Sequence, residues 1–142
     1  MRLNQASDFA LRIMMLLCRE KKPLTVDAIS QRLKLVKSHV MKIVAKLVKA
    51  GVLTSRRGRS GGVSLARDGA TISVGEVVRV IEADFAIVEC MLDRESTCVF
   101  AGGCKLQGVM GNARKAFLGV LDKESLKSIA DGVSLDLSSG VA

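Results

Sequence analysis

Three of the four cysteines lie close together in the second half of the chain. Cys90, Cys98 and Cys104 fall within fifteen residues, in the spacing C-x7-C-x5-C. The segment that carries them, residues 89–104, contains glycines and polar residues that cannot sustain one regular helix, so three thiols on a loop can converge on one point. The single histidine, His39, is far away in sequence, so the usual mixed Cys/His zinc pattern is not available. The pattern leaves three soft thiolates and one open position.

The composition is that of a packed globular protein. Of the 142 residues, 49% are hydrophobic and 25% are charged, which argues against wholesale disorder and fits one domain or a small domain with an appended element. The chain has no Trp or Tyr and only four Phe. We therefore expect an aliphatic core, and we do not expect binding of single-stranded nucleic acid by stacking of bases on aromatic side chains.

The positive charge is concentrated in the first half of the chain. Residues 1–66 contain fourteen Lys or Arg against three Asp or Glu, a net charge of +11, whereas residues 67–142 contain eight against eleven, a net charge of −3. Clustered Lys and Arg indicate a polyanionic partner, because they neutralise phosphates. The alternative is a cationic surface that faces only solvent.

The sequence predicts a cytoplasmic protein. The longest apolar run, residues 9–18, is about half the span that a bilayer needs, and Arg12 interrupts it. No small-residue cleavage pattern follows this run, so it does not resemble a signal peptide, and no membrane partner is expected. In a cytoplasmic chain the cysteines are expected to be metal ligands, redox sensors or buried thiols rather than a disulfide framework.

The basic half has the outline of a helix-turn-helix. A helix is predicted over residues 5–20, a second one begins after Thr25 as its cap, and a third runs from about residue 38 to residue 50 and ends at Gly51. The third helix has one apolar stripe and an otherwise basic surface. That surface carries Lys37, His39, Lys42, Lys46 and Lys49. Two short helices joined by a tight turn, the second of them basic, are typical of a DNA-binding helix-turn-helix.

A basic hairpin is predicted directly after these helices. Residues 53–65 alternate at both ends and are rich in glycine in the middle, and the tip carries Arg56, Arg57 and Arg59 with no acidic neighbour. A helix-turn-helix followed by such a hairpin is a winged helix. Its wing arginines can reach phosphates or the neighbouring minor groove, which makes residues 1–66 a predicted DNA-binding region.

The second region, residues 67–142, is predicted to be helical apart from the cysteine segment. Ser73 and Glu76 form a capping box that opens a helix ending near residue 83. A long helix over residues 105–121 carries a heptad-like apolar seam, which predicts homodimerisation; packing on its own domain is the alternative. The seam consists of Leu106, Val109, Met110, Ala113, Phe117, Val120 and Leu121.

The last elements complete a mainly α fold with a small β-hairpin wing and a long dimerisation helix. Asp122 is predicted to cap a final helix that runs to Ala130. The Ser/Gly/Val tail after Leu137 is predicted to be disordered.

With the wing and the cysteine segment both identified, the chain resembles the bacterial iron-sulfur repressor family that includes NsrR, IscR and RirA. The resemblance covers nearly the whole chain. It rests on Met1-Arg2-Leu3 with Asp8 and Arg12, Lys37-Ser38-His39 with Met41-Lys42, Arg57-Gly58 with Gly61-Gly62, and the three spaced cysteines followed by Leu106. It implies a homodimeric winged-helix repressor that binds a double-stranded operator and holds one cluster in each half of the dimer.

The resemblance also implies a ligand set. IscR-like members have a His three residues after the last cysteine, where this chain has Gln107, which argues against an IscR-type [2Fe-2S] cluster. In NsrR-like members the fourth ligand is an Asp of the first helix, supplied by the partner subunit, and Asp8 matches that position. The C-x7-C spacing is closer to RirA. The implied cofactor is a [4Fe-4S] cluster held by Cys90, Cys98, Cys104 and Asp8, which a given preparation can lack.

The recognition helix departs from the family at one position. Where the family often has a Ser cap, this chain has Val36, which cannot accept amide hydrogen bonds, so the cap is predicted to move to Ser38. The residues predicted to contact DNA are Lys37, Ser38, His39, Lys42, Arg56, Arg57 and Arg59.

Alternatives to cluster sensing follow from the same residues. Asp8 can serve only the dipole of the first helix, and the three cysteines can bind structural zinc or act by thiol oxidation alone. Cys18 is expected to be a buried thiol. An enzyme is not expected, because the chain has no C-x-x-C pair, no His near the cysteines and no nucleotide-binding glycine motif. Nitric oxide is the expected signal, with iron or redox state as alternatives.

Overall fold

The first helix is the element on which most of the others pack. In the computed structural model, which describes residues 2–92, 97–101 and 103–132, helices surround α1 and a two-stranded hairpin lies beside them. The helices are α1 (Gln5–Arg19), α2 (Val26–Leu33), α3 (Lys37–Lys49), α4 (Val74–Ile81), α5 (Lys105–Lys123) and α6 (Leu126–Asp131), and the strands are β1 (Leu53–Arg56) and β2 (Gly62–Leu65). The predicted fold class, mainly α with a small β-hairpin wing, is confirmed.

Helix α1 forms where it was predicted. The side chain of Asn4 caps it by accepting a hydrogen bond from the Ser7 amide at 2.8 Å, and Asp8 lies in its first turn. Its apolar stripe, including Ile13 and Met14, is fully buried against α3, α4 and α6. The two lysines and the proline after Glu20 do not continue the helix.

The helix-turn-helix is formed by α2 and α3. Thr25 caps α2 by accepting from the Ala28 amide at 3.1 Å, as predicted, and Lys34 ends it in the left-handed conformation. The apolar face of α3 is buried, and Gly51 follows the helix with φ +74°, as its role at the helix end predicts.

The predicted cap of α3 is wrong. The helix begins at Lys37, with Val36 at the cap position and no side-chain hydrogen bond there, so Ser38 lies inside the first turn and does not cap the helix. The carbonyl of Val36 accepts from the amides of His39 and Val40 at 3.0 and 3.2 Å. The backbone thus starts the helix one residue earlier, without a capping side chain.

The hairpin is stabilised by its own ladder of hydrogen bonds and by contacts with the segment before α2. Leu53 pairs with Leu65 and Arg56 with Gly62 in an antiparallel ladder. Two further backbone hydrogen bonds, of 3.0 and 2.7 Å, join Val63 to Leu24 in the segment before α2. The wing is therefore attached to the helix-turn-helix by main-chain contacts.

Only one half of the predicted capping box forms at α4. The amide of Glu76 donates to the Ser73 hydroxyl at 3.0 Å, but the carboxylate of Glu76 binds Arg67 at 2.6 Å instead of reaching back to Ser73. A guanidinium outcompetes the neutral amide, because hydrogen bonds between charged groups are the stronger ones. The helix ends at Ile81, two residues before the predicted end.

Asp122 does not cap the last helix, as had been predicted. It lies within α5, where it accepts from Arg79 of α4, with 2.8 Å between Nη2 and Oδ2, and this hydrogen bond lowers the pKa of the Asp122 carboxyl. Ser125 caps α6 instead, by accepting from the Ser128 amide at 3.0 Å. A Cβ on Gly75 would lie 2.0 Å from the Asp122 carboxylate, so a larger residue there would displace this ion pair.

In the part of the chain that the structure describes, no helix combines the length and the apolar character needed to cross a bilayer. The segment after Leu137, predicted to be disordered, lies outside the described residues.

Candidate DNA-binding face and cysteine loop

The seven residues predicted to contact DNA are all exposed on the winged helix. Two of those on α3 have partners within the chain. The ammonium group of Lys37 pairs with Asp27 of α2 at 2.6 Å. The His39 ring stacks on Phe9 of α1, with 6.4 Å between ring centroids. Lys42 is exposed on the same helix, beside a cavity of about 280 Å³ between α1 and α3. This face therefore carries one lysine that is held by an ion pair, Lys37, and one that is exposed beside a cavity, Lys42.

The wing tip, defined as residues 56–61, presents three cations. Arg56, Arg57 and Arg59 are exposed, and within the described residues no carboxylate forms a salt bridge with any of them. Unpaired guanidinium groups on a protruding hairpin can bind phosphates with little loss of internal contacts. The geometry fits the predicted role of the wing.

Gly61→Ala is expected to disorder the wing tip. A Cβ at this position would lie 2.3 Å from the Arg56 carbonyl oxygen and 2.8 Å from the Arg57 carbonyl carbon, which are backbone atoms that can move only if the turn rearranges. We expect a loss of roughly 1–3 kcal/mol in the free energy of unfolding and weaker DNA binding, measured by thermal unfolding and by fluorescence anisotropy. Ser60→Ala, in the same exposed turn, is the control and should change little. Equal stability and affinity of the two variants would contradict this account of the turn.

The cysteine loop, residues 89–104, is closed at its two ends. Cys90 is half-buried in a short turn, Glu89–Met91, and Cys104 is half-buried at the cap position of α5. The Gln107 side chain in the first turn of α5 donates to the Cys90 carbonyl at 3.2 Å, so the two ends of the loop meet beside the start of this helix. Cys98, between them, is exposed. None of the four cysteines, all of which lie in the described residues, is in a disulfide.

The donor types of the loop fit an iron-sulfur cluster. Such clusters are held by cysteine thiolates, and the positive end of the α5 dipole at Cys104 favours an anionic group. Among residues 2–92, 97–101 and 103–132, however, no three His, Cys, Asp or Glu side chains come close enough to hold a metal ion. One chain thus supplies the sulfur donors without assembling them.

Asp8 lies on the exposed side of α1. Its carboxylate pairs with Arg12, with 2.6 Å between Oδ2 and Nη2, and about half of its side-chain surface is exposed. The Arg12 guanidinium lies 5.9 Å from the centroid of the Phe9 ring, and Phe9 stacks on His39. A continuous set of contacts therefore leads from Asp8 to the first turn of α3.

A family model matches most of the chain. A model for "Rrf2: Iron-dependent Transcriptional regulator" matches residues 3–132. The chain belongs to the Rrf2 family.

Relatives of this Rrf2 chain are transcriptional regulators. It is 36% identical over 131 residues to the "HTH-type transcriptional regulator NsrR" of Bacillus subtilis, which covers 91% of this chain and 90% of the relative. It is 33% identical to the "HTH-type transcriptional repressor NsrR" of Streptomyces coelicolor, over 86% and 83% of the two chains. The resemblance to NsrR-like members is confirmed, and these similarities are to regulators and not to enzymes, as expected.

Two solved structures share the fold of this chain. CymR, "the Global Cysteine Regulator of B. subtilis", superposes with a TM-score of 0.75 at 25% identity and covers 94% of this chain and 99% of its own. T. potens IscR superposes with a TM-score of 0.74 at 23% identity, over 100% and 93% of the two chains. The winged-helix prediction is therefore confirmed.

Cys18 lies apart from the cysteine loop of this Rrf2 chain. It is half-buried on α1, and burial, followed by the charges of Asp131 and Asp68, raises the pKa of its thiol. A Cβ on Gly69 would lie 2.5 Å from its sulfur, so the thiol packs directly on that backbone. A protonated, packed thiol is a poor metal ligand at neutral pH.

Sequence reasoning missed a contact that links the two halves of this Rrf2 chain. Glu82, which follows α4 and precedes the cysteine loop, accepts from the Asn4 amide at 2.8 Å and from the Asn4 side chain at 2.7 Å. Asn4 caps α1, so the end of α4 is bonded to the start of the helix that carries Asp8. The residue type of Asn4 and its place before α1 could have predicted the cap of that helix, but no sequence signal marks Glu82, 78 residues away, as its partner.

Proposed function

We propose that the chain is a homodimeric repressor whose affinity for operator DNA is controlled by an iron-sulfur cluster. The observation that carries the proposal is a winged helix with an exposed basic face in a chain of the Rrf2 family. The net charge of +11 in residues 1–66 favours DNA as the partner, because each neutralised phosphate releases counterions. The winged helix would read the operator with α3 in the major groove and the wing on the adjacent backbone.

Helix α5 supports a dimer. None of its 19 residues is fully buried, although the helix contacts α4 and its residues Phe117 and Leu121 are half-buried. The helix leaves Leu106, Val109 and Val120 exposed by 54%, 59% and 63%. An apolar stripe of this spacing fits a second copy of the same helix, which would place two recognition helices on one operator.

Cys90, Cys98 and Cys104 would hold the cluster, with Asp8 of the partner subunit as the fourth ligand. When bound, a [4Fe-4S] cluster supplies iron that reacts with small molecules such as nitric oxide, most readily where a hard carboxylate replaces a thiolate. The exposure of Asp8 makes its carboxylate available to a second chain.

The contacts of α1 provide a route to the DNA-binding face. If the Asp8 carboxylate binds the cluster of the partner subunit, Arg12 loses its ion-pair partner. Arg12 lies over the ring of Phe9, and this ring stacks on His39. At the start of α1, Glu82 binds the capping residue Asn4 and so joins this helix to the end of α4, which the cysteine loop follows in the chain. A change at the loop can therefore shift α1 relative to α3, and with it the spacing of the two recognition helices.

Native mass spectrometry after anaerobic purification tests the proposal. The expected mass is that of a dimer with one [4Fe-4S] cluster per chain, and addition of nitric oxide should bleach the visible absorbance and release a bound duplex. A chain that binds DNA and responds to its signal, yet contains neither iron nor sulfide, would contradict cluster control.

Asp8→Ala is expected to leave a cluster that is more labile. Loss of the carboxylate leaves one iron without its protein ligand, so we expect faster loss of the visible absorbance and an altered rate of reaction with nitric oxide, measured by stopped-flow absorbance. Asp27→Ala, which removes an exposed carboxylate from α2, is the control. Identical decay and reaction rates in wild type and Asp8→Ala would remove Asp8 from the site.

A thiol-redox or zinc-dependent regulator without a cluster is the second candidate. The observation that favours it is the exposure of Cys98, because oxidation of cysteines follows their accessibility to solvent. A colourless, zinc-loaded protein that ignores nitric oxide would support it. If the cluster responds to iron supply and not to nitric oxide, chelation of iron alone should release DNA from the anaerobic protein.

A further inference from the structure

Two apolar side chains are exposed at the start of the recognition helix, among its cations. Val36 precedes α3 and is 62% exposed, and Met41 lies in its second turn and is 53% exposed. The N-terminal residues of such a helix are those that contact base edges when it enters the major groove. Both side chains therefore lie where sequence is read.

Two polar residues near Met41 have partners within the protein. Lys37 is paired with Asp27 of α2, and His39 is stacked on Phe9 of α1, so both are held at the sides of α3. The exposed positions on the outward side, away from the buried stripe, are Ser38, Met41, Lys42, Ala45 and Lys49. Met41 is therefore the one large apolar side chain on this side of the helix, and its neighbours there are small or basic.

We propose that Met41 contacts the 5-methyl group of thymine in the operator and makes the protein select A·T pairs at that position, with Val36 as a second apolar contact at the helix start. The thymine methyl is the apolar group that base pairs present in the major groove. A methionine side chain is flexible and polarizable, so it can follow that methyl across small changes in docking. The proposal rests on the operator binding proposed above.

The expected size of the effect follows from the area of one methyl group. Burying one such group is worth about 0.8 kcal/mol, which is about a fourfold change in affinity for each thymine contacted. Lys42, the next residue, should behave differently, because a lysine on phosphate contributes equally to all sequences. Substitutions of Met41 and Lys42 therefore distinguish a contact with a base from a contact with a phosphate.

The test uses a duplex that the anaerobically purified wild-type protein selects from a random-sequence library. Each thymine of the selected duplex is then replaced in turn by deoxyuridine, which lacks only the 5-methyl group. We expect about fourfold weaker binding at one or two thymines in each half-site. Met41→Ala should bind the thymine and deoxyuridine duplexes with the same affinity at those positions, and Met41→Leu should keep part of the difference. Lys42→Ala should weaken binding to the thymine and deoxyuridine duplexes by the same factor.

Two outcomes would overturn the inference, and they differ from each other. If a selective duplex is recovered but deoxyuridine has no effect, or if Met41→Ala keeps the wild-type sensitivity, operator binding stands and methyl reading by Met41 is wrong. If no duplex is enriched and binding does not depend on salt, operator binding itself fails and this inference fails with it.

Discussion

Cys98→Ala is expected to abolish iron and sulfide binding without disturbing the fold. Cys98 is exposed in the described structure, so removing its sulfur creates no buried cavity, and the large losses of stability that follow from cavities in a core are not expected. A four-iron cluster needs a ligand for each iron, and two thiolates with one carboxylate leave it incomplete. We expect loss of the visible absorbance and of iron and sulfide after anaerobic purification, with an unchanged unfolding temperature.

The matched control is Cys18→Ala. Cys18 packs on Gly69 from α1, so its removal should lower stability slightly and leave iron and sulfide at the wild-type level. Cys90→Ala and Cys104→Ala should behave like Cys98→Ala in iron content. Full iron and sulfide in Cys98→Ala, or their loss in Cys18→Ala, would overturn the proposed ligand set.

The features that could be predicted from sequence are those fixed by neighbours along the chain. The apolar spacing of α1 and α3, the Thr25 cap and the left-handed Gly51 depend on residues within one or two turns, and all were located correctly. The hairpin was equally local, because its turn glycines and alternating ends lie within thirteen residues. These elements position the proposed DNA-binding face, so the placement of its helices and its hairpin was predictable, and its contacts with DNA stay a prediction.

The errors arise where a distant partner competes with a local one. Asp122 has the residue type of a cap, but Arg79, 43 residues earlier, binds its carboxylate. Glu76 likewise leaves its own helix start for Arg67. Because each choice is made by tertiary packing, no local pattern records it. The stacking of His39 on Phe9 could not be predicted for the same reason.

Part of the cysteine loop could be predicted from local sequence, and part depends on distant residues. The spacing of its thiols was visible in the sequence, and the hydrogen bond from Gln107 to the Cys90 carbonyl draws the loop ends together. The fourth ligand is a different matter, because Asp8 pairs with Arg12 in its own chain and is proposed to serve the partner subunit. A ligand that comes from a second copy cannot be located from the contacts within one chain.

Arg59→Ala should weaken operator binding by about tenfold at low salt and flatten its salt dependence, because one phosphate contact contributes about 0.9 to the slope of log K against log salt. The wing tip holds Arg59 exposed, and no described carboxylate forms a salt bridge with it, so its charge is available to a phosphate. Lys42→Ala should do the same from the recognition helix. The measurement is fluorescence anisotropy on one selected duplex over a series of salt concentrations.

Lys115→Ala is the matched control, since it removes an exposed cation from α5 in the acidic half and should leave both affinity and slope unchanged. An unchanged slope in Arg59→Ala would show that this side chain does not neutralise a phosphate. The slope also separates the two kinds of contact proposed for the winged helix, because Met41→Ala carries no change in charge. It should lower affinity for the selected duplex at every salt concentration by a constant factor, whereas loss of Arg59 or Lys42 should matter most at low salt.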